Sequence, residues 1–123
     1  KPISVNYQSH VQKIGWQSTV SDGNVSGTSG RSLRLEGIKI SLKAKPCSGD
    51  IRYVTHVQTY GWQGDLNDIN TRKKNGEMSG TSGQAKRMEA NCINLTGEFA
   101  KQYDIYTLKE MLPKGFGPSN LTE

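Results

Sequence analysis

Two segments of this 123-residue chain carry the side chains best suited to chemistry, and they carry them at matching spacing. His10, Gln12, Trp16 and Gln17 lie in YQSHVQKIGWQ, and His56, Gln58, Trp62 and Gln63 lie in YVTHVQTYGWQ, at a constant offset of 46. A His and a Gln two residues apart share one face of an extended strand, and together they offer both donors and acceptors. Such a pair could grip the vicinal hydroxyls of a sugar; equally, the imidazole could satisfy the backbone of a nearby glycine-rich turn. The tryptophans are two-sided as well. An exposed indole is a stacking platform, whereas one indole per repeated unit also fills the space between units. Catalysis finds little footing. Two histidines in equivalent positions cannot both be a unique base, and the sequence has no nucleophile elbow, phosphate loop or zinc-binding His pair. A glycosidase needs two carboxylates at a set separation, and Asp22, Asp65 and Glu77 could be chosen only arbitrarily. The expectation is a non-catalytic chain without cofactor or metal, in which Cys47 and Cys92 form one disulfide or remain two thiols.

The matching segments belong to an internal repeat. Past the tryptophans the copies diverge, then realign at an offset of 53, where Ser26 to Gly30 and Ser79 to Gly83 both read SGTSG. Thr28, Ser29, Thr81 and Ser82 in these predicted turns complete the candidate binding set. Arg34 and Glu36 then align with Arg87 and Glu89; each pair shares a strand face and is expected in cross-strand or inter-repeat ion pairs. Seven extra residues precede Ser79, in a segment polar enough to be an exposed loop. Repeat one spans 3–43 and repeat two 51–97, leaving 98–123 as a degenerate third fragment or a tail. There Ile105, Gly115 and Phe116 align with Ile51, Gly61 and Trp62, but Leu108, Met111 and Leu112 also have helical spacing.

Positioning these residues falls to β structure. Gly, Ser, Thr, Asn and Gln supply 50 residues and Leu, Ile, Val and Phe only 24, a composition of short strands and many turns. Ile3, Val5, Tyr7 and Val11 alternate with Asn6, Gln8, His10 and Gln12, the period of a half-buried strand. Leu33 and Leu35 are out of phase with Ile38, Ile40 and Leu42, which predicts a β-bulge or a change of face at Glu36 and Gly37. A unit of about 45 residues cannot bury its own apolar face, so neighbouring units must share a core. The predicted architecture is one all-β domain over 1–123, a pseudo-symmetric β-prism or barrel-like assembly of small antiparallel sheets. Any strands missing from it must come from the tail or from a second chain, which makes a homodimer one expected solution.

Net charge is +5, with +5 on residues 1–46, +1 on 47–97 and −1 on the remainder. Positive charge on the first repeat favours anionic partners such as teichoic acid or acidic polysaccharide. Nucleic acid is not expected, because the few aromatics are not interleaved with Arg and Lys. No apolar run approaches the roughly 20 residues of a membrane helix, so no membrane insertion is expected.

The HVQxxGWQ motif, the SGTSG turn and the RLEGIKISL strand together resemble the clostridial hydrophobic repeat with invariant tryptophan, the ChW repeat. The resemblance covers about residues 3 to 43 and 51 to 97. It implies a secreted or cell-surface protein of a Gram-positive bacterium, with a lectin-like role in attachment to surface polysaccharide, peptidoglycan or teichoic acid. Protein-protein adhesion or assembly, with another surface protein as partner, is the alternative. Departures from the pattern are Asn91 in place of the apolar Ile38, the longer second turn, and a third copy without His, Gln or Trp.

Overall fold

The computed structural model describes residues 4–43 and 48–101, and these form two antiparallel sheets, one centred on each repeat. In the first, β1 (Val5–Val11) pairs along its length with β4 (Leu35–Leu42). Its other edge is shared by β2 (Gly15–Trp16) near His10 and β3 (Val20–Ser21) near Tyr7. The second sheet copies this plan. There β5 (Ile51–Val57) pairs with β9 (Met88–Leu95) on one edge, and with β6 (Gly61–Trp62) and β7 (Lys73–Lys74) on the other. The polar insert forms a short 3-10 turn at Ile69–Thr71, capped by the Asp68 side chain. All-β architecture from two like units is as the sequence predicts. The described residues close no barrel, and the fragment at Ile105 to Phe116 lies outside them, as does Cys47.

The phase change resolves as a bulge in both copies. His10 is opposite Gly37 while Val11 is opposite Leu35, which leaves Glu36 as the extra residue. His56 and Val57 treat Ala90, Met88 and Glu89 in the same way. An inserted residue lets apolar positions on both sides of it face the core despite their opposite parity.

One strand departs from the expectation of two equivalent turns. Met78–Gly80, the start of the second SGTSG segment, is a strand, β8, and it pairs with β4 of the first repeat. This strand joins the sheets. Gly80 has φ +98° and lies so close to Glu36 and Gly37 that any Cβ there would overlap the Glu36 carbonyl. Gly37 answers it, since a Cβ at Gly37 would come within 3.0 Å of the Thr81 carbonyl oxygen. Beneath the junction Ile38, Ile40, Ile51 and Tyr53 form the core, with Val5, Tyr7, Leu42, Met88 and Leu95 packed around them. The fully buried Tyr53 hydroxyl accepts from the Ile40 N–H at 3.2 Å and donates to the Glu77 carbonyl at 2.5 Å. Burial raises the Tyr53 pKa, so the phenol remains a donor throughout the neutral range.

Candidate functional site

The bulge does more than correct the phase, because it aims a carboxylate across β1. Glu36 Oε1 lies 3.0 Å from His10 Nδ1, and Glu36 Oε2 lies 2.9 Å from Arg34 Nε. In the second repeat Glu89 stands 2.9 Å from His56 Nδ1 and 3.0 Å from Arg87. Each carboxylate thus contacts an imidazole and a guanidinium, but only His56 Nδ1 is hydrogen-bonded to its Glu; His10 Nδ1 is buried close to Glu36 without a hydrogen bond. The indole follows from β1 pairing with β2, which sets Trp16 beside His10, and from β5 pairing with β6, which sets Trp62 beside His56. In both, the rings meet edge to face with centroids 5.2 Å apart. His, Glu, Arg and Trp therefore recur as one polar and aromatic cluster.

The two clusters differ in their surroundings. Near the first is a cleft of about 510 Å³ between His10, Arg34 and Glu36 on one side and Gly83 and Ala85, from the second repeat, on the other. Lys39 closes one face of Trp16, its Nζ 4.3 Å from the ring. The position matching Lys39 is Cys92, and among the described residues no cation caps Trp62, which is 36% exposed. Side-chain exposure of the His and Glu rises from 15% and 6% in the first repeat to 35% and 32% in the second.

The other sequence-selected residues are mainly occupied in holding the backbone. Gln12 and Gln58 each grip the strand after the SGTSG turn, donating from their own N–H to Arg34 or Arg87 and accepting that residue's N–H on Oε1. Gln17 Oε1 accepts from Gly27 at 2.7 Å; Gln63 Oε1 accepts from Gly80 at 2.7 Å, and its amide donates back to the Gly80 carbonyl. Thr81 is buried between the repeats, where its N–H donates to the Glu36 carbonyl at 2.7 Å. Thr28 is half-buried, while Ser29 and Ser82 are exposed on their turns. Sequence reasoning left Glu36, Glu89 and Lys39 out of the site. The carboxylates were legible in principle, because a bulge predicted at a repeated Glu moves that side chain to a new face.

Comparison with known proteins agrees with the geometry. The family model described as Clostridial hydrophobic W matches the chain twice, over residues 10–44 and 56–97. The chain belongs to the ChW family. Each match holds one complete His, Trp, Arg and Glu cluster and begins near the end of the central strand of its sheet, at His10 of β1 and His56 of β5. No curated protein and no solved structure matches the chain.

Proposed function

We propose that these two ChW repeats form a non-catalytic module that attaches an extracellular Gram-positive bacterial protein to glycans of the cell wall or another surface. The observation that carries this reading is the duplicated cluster, in which a partly exposed indole lies beside an imidazole in contact with a carboxylate. Ring and hydrogen-bonding groups on one face suit a pyranose, which has an apolar face and equatorial hydroxyls. If about a third of the roughly 200 Å² of an indole covers a sugar, the contact contributes about 1.5 to 2 kcal/mol at about 25 cal/mol per Å². Association itself costs at least about 4 kcal/mol, so one such contact is insufficient and tethered copies are needed. Duplication provides them. Surplus positive charge on the first repeat favours an anionic polymer such as teichoic acid.

In the finer architecture we propose, the two sheets are two sides of a pseudo-symmetric prism. An apolar groove of about 310 Å³, lined by Val5, Tyr7, Ile40, Ile51 and Ile93 among others, supports this reading, since a third side would cover such a surface.

The experiment is sedimentation with purified Gram-positive cell walls, intact, stripped of protein, or stripped of teichoic acid. Retention on protein-free walls is expected, with a loss of at least about tenfold in affinity for the double variant Trp16→Ala/Trp62→Ala. Binding that vanishes only when protein is removed contradicts the proposal and favours a polypeptide partner.

A further inference from the structure

We infer that β9 is an acceptor edge for the Val25 to Gly27 segment of a second copy of this chain, so that the protein self-associates head to tail through the junction already present between its repeats. The template is the pairing of β8 with β4, where Met78, Ser79 and Gly80 lie opposite Lys39, Ile38 and Gly37. By repeat equivalence, the donor in the first repeat is Val25, Ser26 and Gly27, and the acceptor in the second is Cys92, Asn91 and Ala90. Among the described residues neither has its partner. β9 pairs with β5 alone, and no strand includes Val25 to Gly27. Burial records the vacancy: Gly37 and Ile38 are buried, whereas Ala90 and Asn91 are exposed, and Ile93 is 52% exposed against 7% for its counterpart Ile40.

The donor is already shaped for the task. Gly27 has φ +115°, close to the +98° of Gly80, and the Gln17 side chain grips it as Gln63 grips Gly80. The Ser26 hydroxyl meets Ser9 at 2.7 Å, matching Ser79 and Thr55 at 2.6 Å. Tyr7 donates to the Asn24 carbonyl as Tyr53 does to Glu77, but it lacks the Ile40 N–H that Tyr53 also engages. The corresponding N–H on the acceptor is that of Ile93. A preformed segment needs little ordering on association, which removes a main cost of adding a strand to an open edge. Residues 98–123 contain no SGTSG segment, so the donor sequence that this template uses recurs in the chain only at Val25 to Gly27. The two surfaces are different patches, which makes the contact heterologous. Ala90 in place of Gly37 weakens it, since a Cβ at Gly37 comes within 3.0 Å of a carbonyl on the inserted segment.

The inference is independent of glycan binding and is tested without any glycan. Val25 of one copy is opposite Cys92 of the next, at the 4.5–5.5 Å Cα separation of antiparallel partners, which lies within disulfide range. Val25→Cys should therefore form an intermolecular disulfide on mild oxidation, abolished by adding Cys92→Ser and retained with Cys47→Ser. Light scattering across concentration should show mass rising in the unmodified protein. Ala90→Val should raise the dissociation constant by about tenfold or more, and Ala90→Gly should lower it. Ala90 is exposed on its strand, so both variants should fold. A monomeric mass up to millimolar protein overturns the inference. So does association indifferent to both Ala90 variants, or crosslinking that depends on Cys47 instead of Cys92.

Discussion

β4 and β9 occupy the same place in their repeats, carry the same bulge, and end in opposite circumstances. β4 is covered by β8, and three residues in the middle of it, Glu36 to Ile38, are buried; their counterparts Glu89 to Asn91 are exposed. The local frame hardly changes. Both bulges set a Glu against a His and an Arg, and both tryptophans meet their histidine at the same 5.2 Å. A ChW unit therefore builds its cluster unaided, and what it gains from its neighbour is burial of one strand edge and of the core beneath. Strand donation is the bond between units.

The largest effect expected from this contrast is at the paired glycines. Gly80→Ala should destabilise by about 3 kcal/mol or more in urea titration, since its methyl strikes the Glu36 carbonyl and parts β8 from β4. Gly27→Ala bears only the positive-φ strain, about 1 kcal/mol in the monomer, because the nearest atom to its Cβ is the flexible end of Leu35. Equal losses at the two sites would mean that the junction adds nothing.

Next come the tyrosines. Tyr53→Phe leaves the buried Ile40 N–H and Glu77 carbonyl without their shared partner and should cost about 2 kcal/mol by thermal or urea unfolding. Tyr7→Phe removes one bond at the surface and should cost about 0.5 to 1 kcal/mol.

Smaller still are the differences between the indoles, read by acrylamide quenching. Trp16→Phe, which leaves Trp62 as reporter, should be quenched more strongly than Trp62→Phe, and Lys39→Ala should narrow the gap by uncovering Trp16. The smallest effect concerns Asp22, fully exposed at the edge of the first repeat. Hydrogen bonds from the Ser4 hydroxyl and the Val5 N–H hold its pKa below the ordinary value. A group with a lowered native pKa stabilises the fold above its unfolded pKa, and that contribution is lost as pH falls through the native value. The stability difference between the unmodified protein and Asp22→Asn should accordingly be present at neutral pH and fade in acid below the usual Asp range. Asn75 holds the matching position in the second repeat, so this titration belongs to the first.

Much of this was legible in the sequence, because the repeat exposes whatever recurs. The offset of 46 located β1 and β5, and the parity change at Glu36 and Gly37 pointed to a bulge or a change of face there; the bulge recurs at Glu89 in the second repeat. The exchange of β8 was not legible. SGTSG reads identically in both copies as a turn, and whether it pairs depends on a strand from another unit, which local pattern does not encode. The roles of Gln17 and Gln63 were hidden for a related reason. An amide suited to a sugar hydroxyl is equally suited to a glycine backbone, and only the approach of the turn decides between them.

Amide hydrogen exchange on dilute protein tests the central claim, strand donation between ChW units, most directly. The N–H groups of Gly76 and Thr81 donate to Ile40 and Glu36 across the junction, whereas among the described residues no carbonyl accepts from their counterparts Gly23 and Thr28. Strong protection of Gly76 and Thr81, with rapid exchange at Gly23 and Thr28, is the predicted result. Matching rates within the pairs Gly76 and Gly23, and Thr81 and Thr28, would contradict it.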